Sequence, residues 1–580
     1  MDLLMKKIHM CRQTQSVQTQ MTLDEDFNVP DVSPDVGMII WTREKVVMEH
    51  TRIANGMVFV DGFLEAGILY MDDTKERQLH RMNTRIPFDE EIAMEGLKAE
   101  DDSLESGRVT VSVRHETEDL SVTLINSRKL AIRALISIEV LAEETADLAA
   151  AVDIQSSRSS SEWGATETAG RADAPAWQAG TEPAGRTDPL ARQAGTEPAL
   201  CERKEKLEYL QLEVQNKDIL RLKEDVQLPS NKPNIREILW EDVQLRGCRT
   251  QISEGKLAVR GSLFLFVLYR AEDEKQSLQW IEQTVPAEGE LALPPSDVPR
   301  TEADDAGLVP DIEVTLSEAD LTAKEDLDGE LRTLHLEGML DLNIRIYGTD
   351  TVEVLSDVYS PDKDLELVSC EETFETLVVR NESKCRVQGK IRIQSAKPRI
   401  LQICHGRGSV KIDKTEAVGS HNLRIEGALP VSILYISSDD TQPFAVLEGT
   451  IPFSHEAQAQ EIDESCRYTL RAALDQLSAT MSDSEEIEIR ASVTLDLFAV
   501  RPGRQRCIHE IHEKEYEPGQ LEAVPGMTGY IVQEGETLWD IAKQYFQTPQ
   551  QIMEMNGLSS EQVRKGDCLI LMKHVRPAGV

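Results

Sequence analysis

At 580 residues the chain exceeds what one hydrophobic core can organise and fits roughly three to five domains, while 40% hydrophobic content excludes a chain disordered throughout. A formal net charge of −41 at pH 7 excludes phosphate-tracking roles, because nucleic acid and anionic membrane surfaces would repel it; such acidity keeps a large scaffold soluble or attracts a basic partner. Nine scattered cysteines, odd in number and without a CxxC pair, exclude a disulfide framework and read as thiols of a reducing compartment.

The chain opens MDLLMKKIHMCRQTQ. Lys6 and Lys7 are followed by the polar run RQTQSVQTQ instead of an apolar h-region, so no export signal is predicted and residues 1–19 read as an N-terminal arm. No stretch approaches the ~18 apolar residues of a transmembrane helix.

Next comes a threefold repeat. NVPDVSPDVGMII, QLPSNKPNIREIL and RIQSAKPRILQI each place an apolar residue five positions before a proline: Val29 and Pro34, Leu228 and Pro233, Ile393 and Pro398. A glycine follows 28, 28 and 29 residues later, at Gly62, Gly261 and Gly427. Eight residues beyond each glycine stands the tyrosine of a Leu-Tyr pair: Leu69-Tyr70, Leu268-Tyr269, Leu434-Tyr435. Seventeen residues later each copy has another proline, at Pro87, Pro286 and Pro452. Four anchors at matching spacings, three times over, identify a triplicated domain.

Around each glycine every second residue is apolar, as in Leu257, Val259, Leu263, Leu265, Val267 and Tyr269. Period two means one buried face of a β-strand, and the glycine within it signals a bulge or bend. Pro430, on the outward face of the third copy, predicts a sheet edge there. A second alternating strand closes each copy: LAIRALISIEVLA at 130, LHLEGMLDLNIRI at 334 and IEIRASVTLDLFA at 487. The expected fold is multidomain, with three mainly antiparallel β-domains, each a sandwich or partly closed barrel, at residues 20–146, 206–360 and 371–500. An acidic insertion near 297–311 reads as a loop. Residues 147–205 read as a disordered linker in which Thr166, Thr181 and Thr196 mark 15-residue repeats. Trp163 and Trp177 within it read as linker residues ahead of docking elements.

Residues 501–527 read as a second linker, and 528–573 carry the sharpest local signals. Tyr530 and Val532 alternate as a strand. Thr537 stands as an N-cap with Asp540 as its capping-box partner, and Leu538, Ile541, Ala542 and Tyr545 form one apolar helix face. Thr548-Pro549 opens a second helix, Asn556-Gly557 ends it, and Leu569, Ile570 and Leu571 supply the return strand. This βααβ pattern closely resembles the LysM domain, a module for N-acetylglucosamine-containing glycans. The resemblance implies a shallow groove at Gly535, Glu536, Thr537 and Leu538 with Asn556, Gly557 and Leu558. Glycines there would let backbone amides approach an N-acetyl carbonyl, and Leu538 or Leu558 would cover a sugar face. The same residues also build caps and turns in any such fold.

Three β-domains with this anchor pattern followed by one LysM domain resemble the SipL-like, SpoVID-type spore-coat morphogenetic proteins, whose repeats are called SPOCS domains. The third copy departs in carrying Gln394 where Pro30 and Pro229 stand. The resemblance implies a cytoplasmic protein of the mother cell, at the forespore surface. Its partner would be the coat basement-layer ATPase (stage IV sporulation protein A), docked through the LysM domain. A N-acetylglucosamine-containing glycan, as peptidoglycan or its lipid-linked precursor, is the alternative ligand.

No catalytic motif is found: no G-x-S-x-G, no P-loop, no dinucleotide fingerprint. HGRGSVK at 405 has the wrong spacing for a phosphate loop. Cys507, His509 and His512 fall one residue short of H-E-x-x-H, and in an extended segment His509 and His512 face opposite ways. The expectation is therefore a non-enzyme with no cofactor, no metal and no nucleic-acid partner.

Overall fold

The computed structural model describes residues 1–94, 109–155, 200–253, 255–272, 278–294, 307–326, 328–393, 397–419, 421–516 and 525–572. The first copy comprises β1 (Asp2–Asn28), β2 (Val36–Ala54), β3 (Met57–Asp72), β4 (Leu79–Ala93), β5 (Val109–Asn126) and β6 (Lys129–Gln155). Two three-stranded antiparallel sheets result, β2-β3-β4 and β1-β6-β5. The second copy repeats this with β7 (Cys201–Gln227), β8 (Ile235–Ser253), β9 (Lys256–Ala271), β10 (Leu278–Ala292), β11 (Leu308–Glu325) and β12 (Leu331–Tyr359). In the third copy β13 (Asp364–Arg392), β18 (Arg467–Met481) and β19 (Glu486–Lys514) form one sheet. The other holds β14 (Ile400–Gly408), β15 (Lys411–Val418), β16 (Asn422–Ser437) and β17 (Phe444–Gln458). Each copy is thus a β-sandwich, with no closed barrel among the described residues. Its core is the inward period-two face of both sheets, for example Val58, Val60, Leu64 and Ile68 against Ile132, Ile136 and Ile138.

The repeat anchors have a physical basis. Each tyrosine of the Leu-Tyr pair lies in its own domain core and donates from its hydroxyl to the proline carbonyl: Tyr70 to Pro34 at 3.3 Å, Tyr269 to Pro233 at 3.0 Å, Tyr435 to Pro398 at 3.0 Å. The neighbouring leucine points the other way, because successive side chains of a strand alternate faces. Leu69, Leu268 and Leu434 are all fully buried in one apolar junction shared by the three copies, joined by Ile40, Leu239 and Cys404. The position seven residues after each proline also enters this junction, as Trp41, Trp240 and His405. Trp41 stacks on Trp240 with ring centroids 5.6 Å apart, and His405 lies 5.8 Å from Trp41.

The mid-strand glycines face a bulge in the neighbouring strand, at Met48/His50 opposite Gly62 and Ile412/Lys414 opposite Gly427. A Cβ on Gly62 would lie 2.1 Å from the Val47 carbonyl oxygen, so close approach, not left-handed backbone, demands glycine.

Beyond the sandwiches the paired ends of β1/β6, β7/β12 and β13/β19 continue as three two-stranded ribbons. Each ribbon changes register near its sandwich, at Gln13/Gln15, Ile346/Tyr347 and Leu377/Val379, which re-aims it. The ribbons pack together as a stem held by three clusters that each draw on all three copies. One joins Ile8, Met10 and Leu148 to Tyr209 and Val354 and to Phe374 and Cys507. A second joins Cys11 to Leu212, Tyr347 and Phe498, and a third joins Ala151 to Leu355 and to Ile508 and Ile511.

Several expectations are corrected. Residues 1–19 are no arm but most of β1, because Ile8, Met10 and Cys11 find partners in the other ribbons. Residues 147–155 belong to β6, 201–205 to β7 and 501–514 to β19, so the linkers are shorter than the polarity of those segments implied. Pro430 lies in the central strand β16, not at an edge. Its missing N–H is accommodated by breaking the neighbouring strand, which ends at Gly408 and resumes at Lys411, with Ser409 donating to the Pro430 carbonyl at 3.2 Å. Residues 308–311 of the expected acidic loop are the start of β11. Residues 297–306 of that insertion, Gln394, and Trp163 and Trp177 lie outside the described residues.

Candidate binding surface of the C-terminal module

The last module is β20 (Met527–Ile531), α1 (Leu538–Gln544), α2 (Pro549–Asn556) and β21 (Cys568–Met572), the βααβ order read from the sequence. Both helices start on complete capping boxes, Thr537 with Asp540 and Thr548 with Gln551, the second with Pro549 in its first turn. Gly557 caps α2 at φ +64, and the Leu558 N–H closes the turn on the Met553 carbonyl at 2.9 Å.

The expected groove residues divide into three groups. Gly535 (φ +86) and Gly557 are exposed, with open space where a Cβ would stand, so their backbone is free to be approached. The polar side chains are engaged internally. The Glu536 carboxylate accepts from the Tyr530 hydroxyl at 2.7 and 2.9 Å and from the Gln533 N–H at 2.8 Å; this bond and partial burial push the Tyr530 hydroxyl up to about 12. Asn556 donates to the carbonyls of Ile552 and Ile570 and accepts from the Ile570 N–H at 2.7 Å, clamping α2 to β21. Thr537 serves its capping box. The leucines differ: Leu538 is 1% exposed and packs in the module core, whereas Leu558 is half-buried.

Sequence reasoning missed a second feature. The outward face of the β20–β21 ladder carries Met527 opposite Met572, Gly529 opposite Ile570 and Ile531 opposite Cys568. Met527, Ile531, Ile570 and Met572 are 63%, 56%, 49% and 42% exposed. The alternation inside CLILM could have revealed it, since strict period two sends Ile570 away from the core that takes Leu569 and Leu571.

The module is seated on the second ribbon. Trp539 packs edge-on against Tyr359 with ring centroids 4.8 Å apart, and its Nε1 donates to Asp357 at 2.8 Å. Lys543 pairs with the same carboxylate at 2.7 Å, and the Tyr359 hydroxyl donates to the Gln547 carbonyl at 2.8 Å. Tyr516, leading out of the third ribbon, packs edge-on against Phe546 and donates to the Ser360 carbonyl. Cys201 and Tyr359 thereby join the module's own core. The seat uses the solvent side of α1 and leaves the two glycine loops and the outer sheet face open.

The family description "SipL, SPOCS domain" matches residues 35–125, 234–319 and 399–482, and "LysM domain" matches 530–571. No curated protein and no solved structure matches the chain. Each SPOCS match spans the meander sheet and continues into the strand after it, while β1, β6 and their counterparts, which build the stem, fall outside. Three SPOCS domains sharing one junction and one stem, with a LysM domain seated on that stem, make this chain a SipL-type protein.

Proposed function

We propose that the chain is a non-catalytic scaffold of endospore coat morphogenesis that tethers the coat basement layer to the forespore surface through protein contacts. In this reading it works in the mother-cell cytoplasm, and the LysM domain docks the basement-layer ATPase, stage IV sporulation protein A. Family membership supports the coarser statement, a sporulation-related protein with a module of the peptidoglycan-binding type. The observation that carries the finer one is the state of the groove. Glu536, Thr537 and Asn556 have their side-chain hydrogen bonds used inside the module, and the exposed apolar face of Met527, Ile531, Ile570 and Met572 lies on the same domain. Such a surface suits a protein partner better than a hydroxyl-rich sugar chain. A cleft of about 820 Å³ between the second and third sandwiches is lined by Arg249, Arg260, Lys384 and Asp475.

One observation favours glycan binding: Gly535 and Gly557 present open backbone where an N-acetyl carbonyl would be read. The test separates the two. The full chain is titrated against purified basement-layer ATPase and against N-acetylglucosamine oligomers, with Leu558→Asp and Ile570→Asp in parallel. ATPase binding that either substitution weakens tenfold or more, with no response to oligomers, is expected. Saturable oligomer binding with no ATPase binding would overturn the scaffold reading.

A further inference from the structure

The third ribbon carries a constellation that the function above does not use. In β13 Cys370 and Glu372 stand two residues apart, so their side chains share one face of the strand. Across the ladder β19 bulges: Val368 pairs with Glu510 and Ser369 with Ile508, which leaves His509 as the extra, unpaired residue. The bulge turns His509 towards the same spot. Its Nε2 lies 2.8 Å from Cys370 Sγ and 3.8 Å from Glu372 Oε1, and Cys370 Sγ lies 3.1 Å from Glu372 Oε1. All three donor atoms fall within 4.8 Å of one another, and the cluster opens to solvent through the exposed Cys370. His512 is not part of it and pairs instead with Glu510 at 3.2 Å.

The geometry points to a binding site for one divalent transition metal of the zinc class, held by Cys370 Sγ, His509 Nε2 and Glu372 Oε1. Zinc bonds of about 2.3 Å to sulfur and 2.0–2.2 Å to nitrogen and oxygen place tetrahedral donors roughly 3.3–3.6 Å apart. The three separations bracket that range, and reaching it changes them by about 0.4–0.7 Å each. One thiolate, one imidazole and one carboxylate select a zinc-like ion over the all-oxygen ligation preferred by calcium and magnesium. A thiolate and a carboxylate together neutralise the ion's charge. The fourth position faces solvent and is open to water. Bound there, the metal ties β13 to β19 where the bulge interrupts their ladder, so it acts as a staple in the stem. Binding exchanges the thiol proton for the metal and releases that proton to solvent.

Cobalt(II) is the probe, added to the purified full chain after chelator treatment. The expected result is one equivalent bound with a thiolate-to-metal charge-transfer band and tetrahedral d–d absorption, all displaced by one equivalent of zinc. Cys370→Ser and His509→Gln should weaken binding by more than the 10–100-fold typical of an outer-shell change, while His512→Gln and Cys568→Ser leave it intact. Zinc should raise the thermal midpoint of the unsubstituted chain and of both controls but not of Cys370→Ser, which also shows that each variant folds. Absence of the charge-transfer band, its survival in Cys370→Ser, or its loss in Cys568→Ser would overturn the assignment.

Discussion

His405→Leu tests how the three copies are locked together. The His405 side chain is fully buried, with its ring parallel to Phe266 at 4.1 Å. Its Nε2 lies 2.9 Å from Asp242 Oδ2 and its Nδ1 3.0 Å from Glu282 Oε1, so both nitrogens face carboxylate acceptors and both must donate. The ring is therefore an imidazolium. Burial alone would lower its pKa, but the two carboxylates raise it above the usual value. Asp242 is almost fully buried as well; burial pushes its pKa up, yet the His405 bond, with Arg407 and Arg43 nearby, holds the carboxyl well below the usual range. Leucine fills most of the space but removes the His405 bond, leaving Asp242 the 2.6 Å bond from Gln244 and the charges of Arg407 and Arg43. Breaking a buried pair by removing one partner costs about 3–5 kcal/mol. The sign with pH follows. A raised histidine pKa contributes stability that is complete below about 6.5 and lost as pH rises through the folded value. Urea unfolding followed by the fluorescence of Trp41 and Trp240, both at the junction, reports the change. The original chain should lose stability relative to His405→Leu as pH climbs from about 6 to 9. A variant within about 1 kcal/mol of the original, or identical pH slopes for both, would refute an imidazolium lock.

Gly62→Ala and Gly427→Ala place a Cβ 2.1 and 2.4 Å from backbone oxygens and should each cost about 1–3 kcal/mol, whereas Gly261→Ala, whose nearest neighbour is 3.2 Å away, should cost less than about 1 kcal/mol; denaturant midpoints rank the three. Asp311 is buried between Arg345 and Arg471. Burial raises its pKa, but these arginines and Arg380 pull it below the usual value, so its contribution is present above about pH 4 and lost as pH falls through the folded value. Asp311→Asn should cost about 3–5 kcal/mol at neutral pH and flatten the acid limb of the stability profile. Trp539→Ala removes the ring against Tyr359 and the bond to Asp357, so the LysM domain should be released from the stem by limited proteolysis while SPOCS stability changes by less than about 1 kcal/mol.

The sandwich cores were legible because a half-buried strand must alternate, and the anchors recurred because Tyr70, Tyr269 and Tyr435 each bond the equivalent proline carbonyl of their own copy. The junction was hidden in plain view: the leucine of each Leu-Tyr pair served as a spacing mark, but its burial depends on two other copies far away in sequence. The stem was illegible for a related reason. Each ribbon buries one face against foreign ribbons and shows water the other, so the start of β1 reads as a polar arm. The groove was located by resemblance, yet Leu538, taken as a sugar cover, is core, because an apolar residue just after an N-cap turns back onto the module.

The first strand meets the end of the third ribbon: the Met1 amino group lies 3.7 Å from the Glu513 carboxylate and 3.5 Å from the Ile511 carbonyl. During synthesis the first strand therefore waits for more than five hundred residues before its last neighbour emerges. Sandwich one can close much earlier, but Ile8 and Met10 stay partly uncovered until the third ribbon arrives. A ribosome that stops short leaves a sticky apolar edge open to proteases and chaperones. The stem's apolar surface is thus fully covered only when translation has run through to the residues just before the LysM domain.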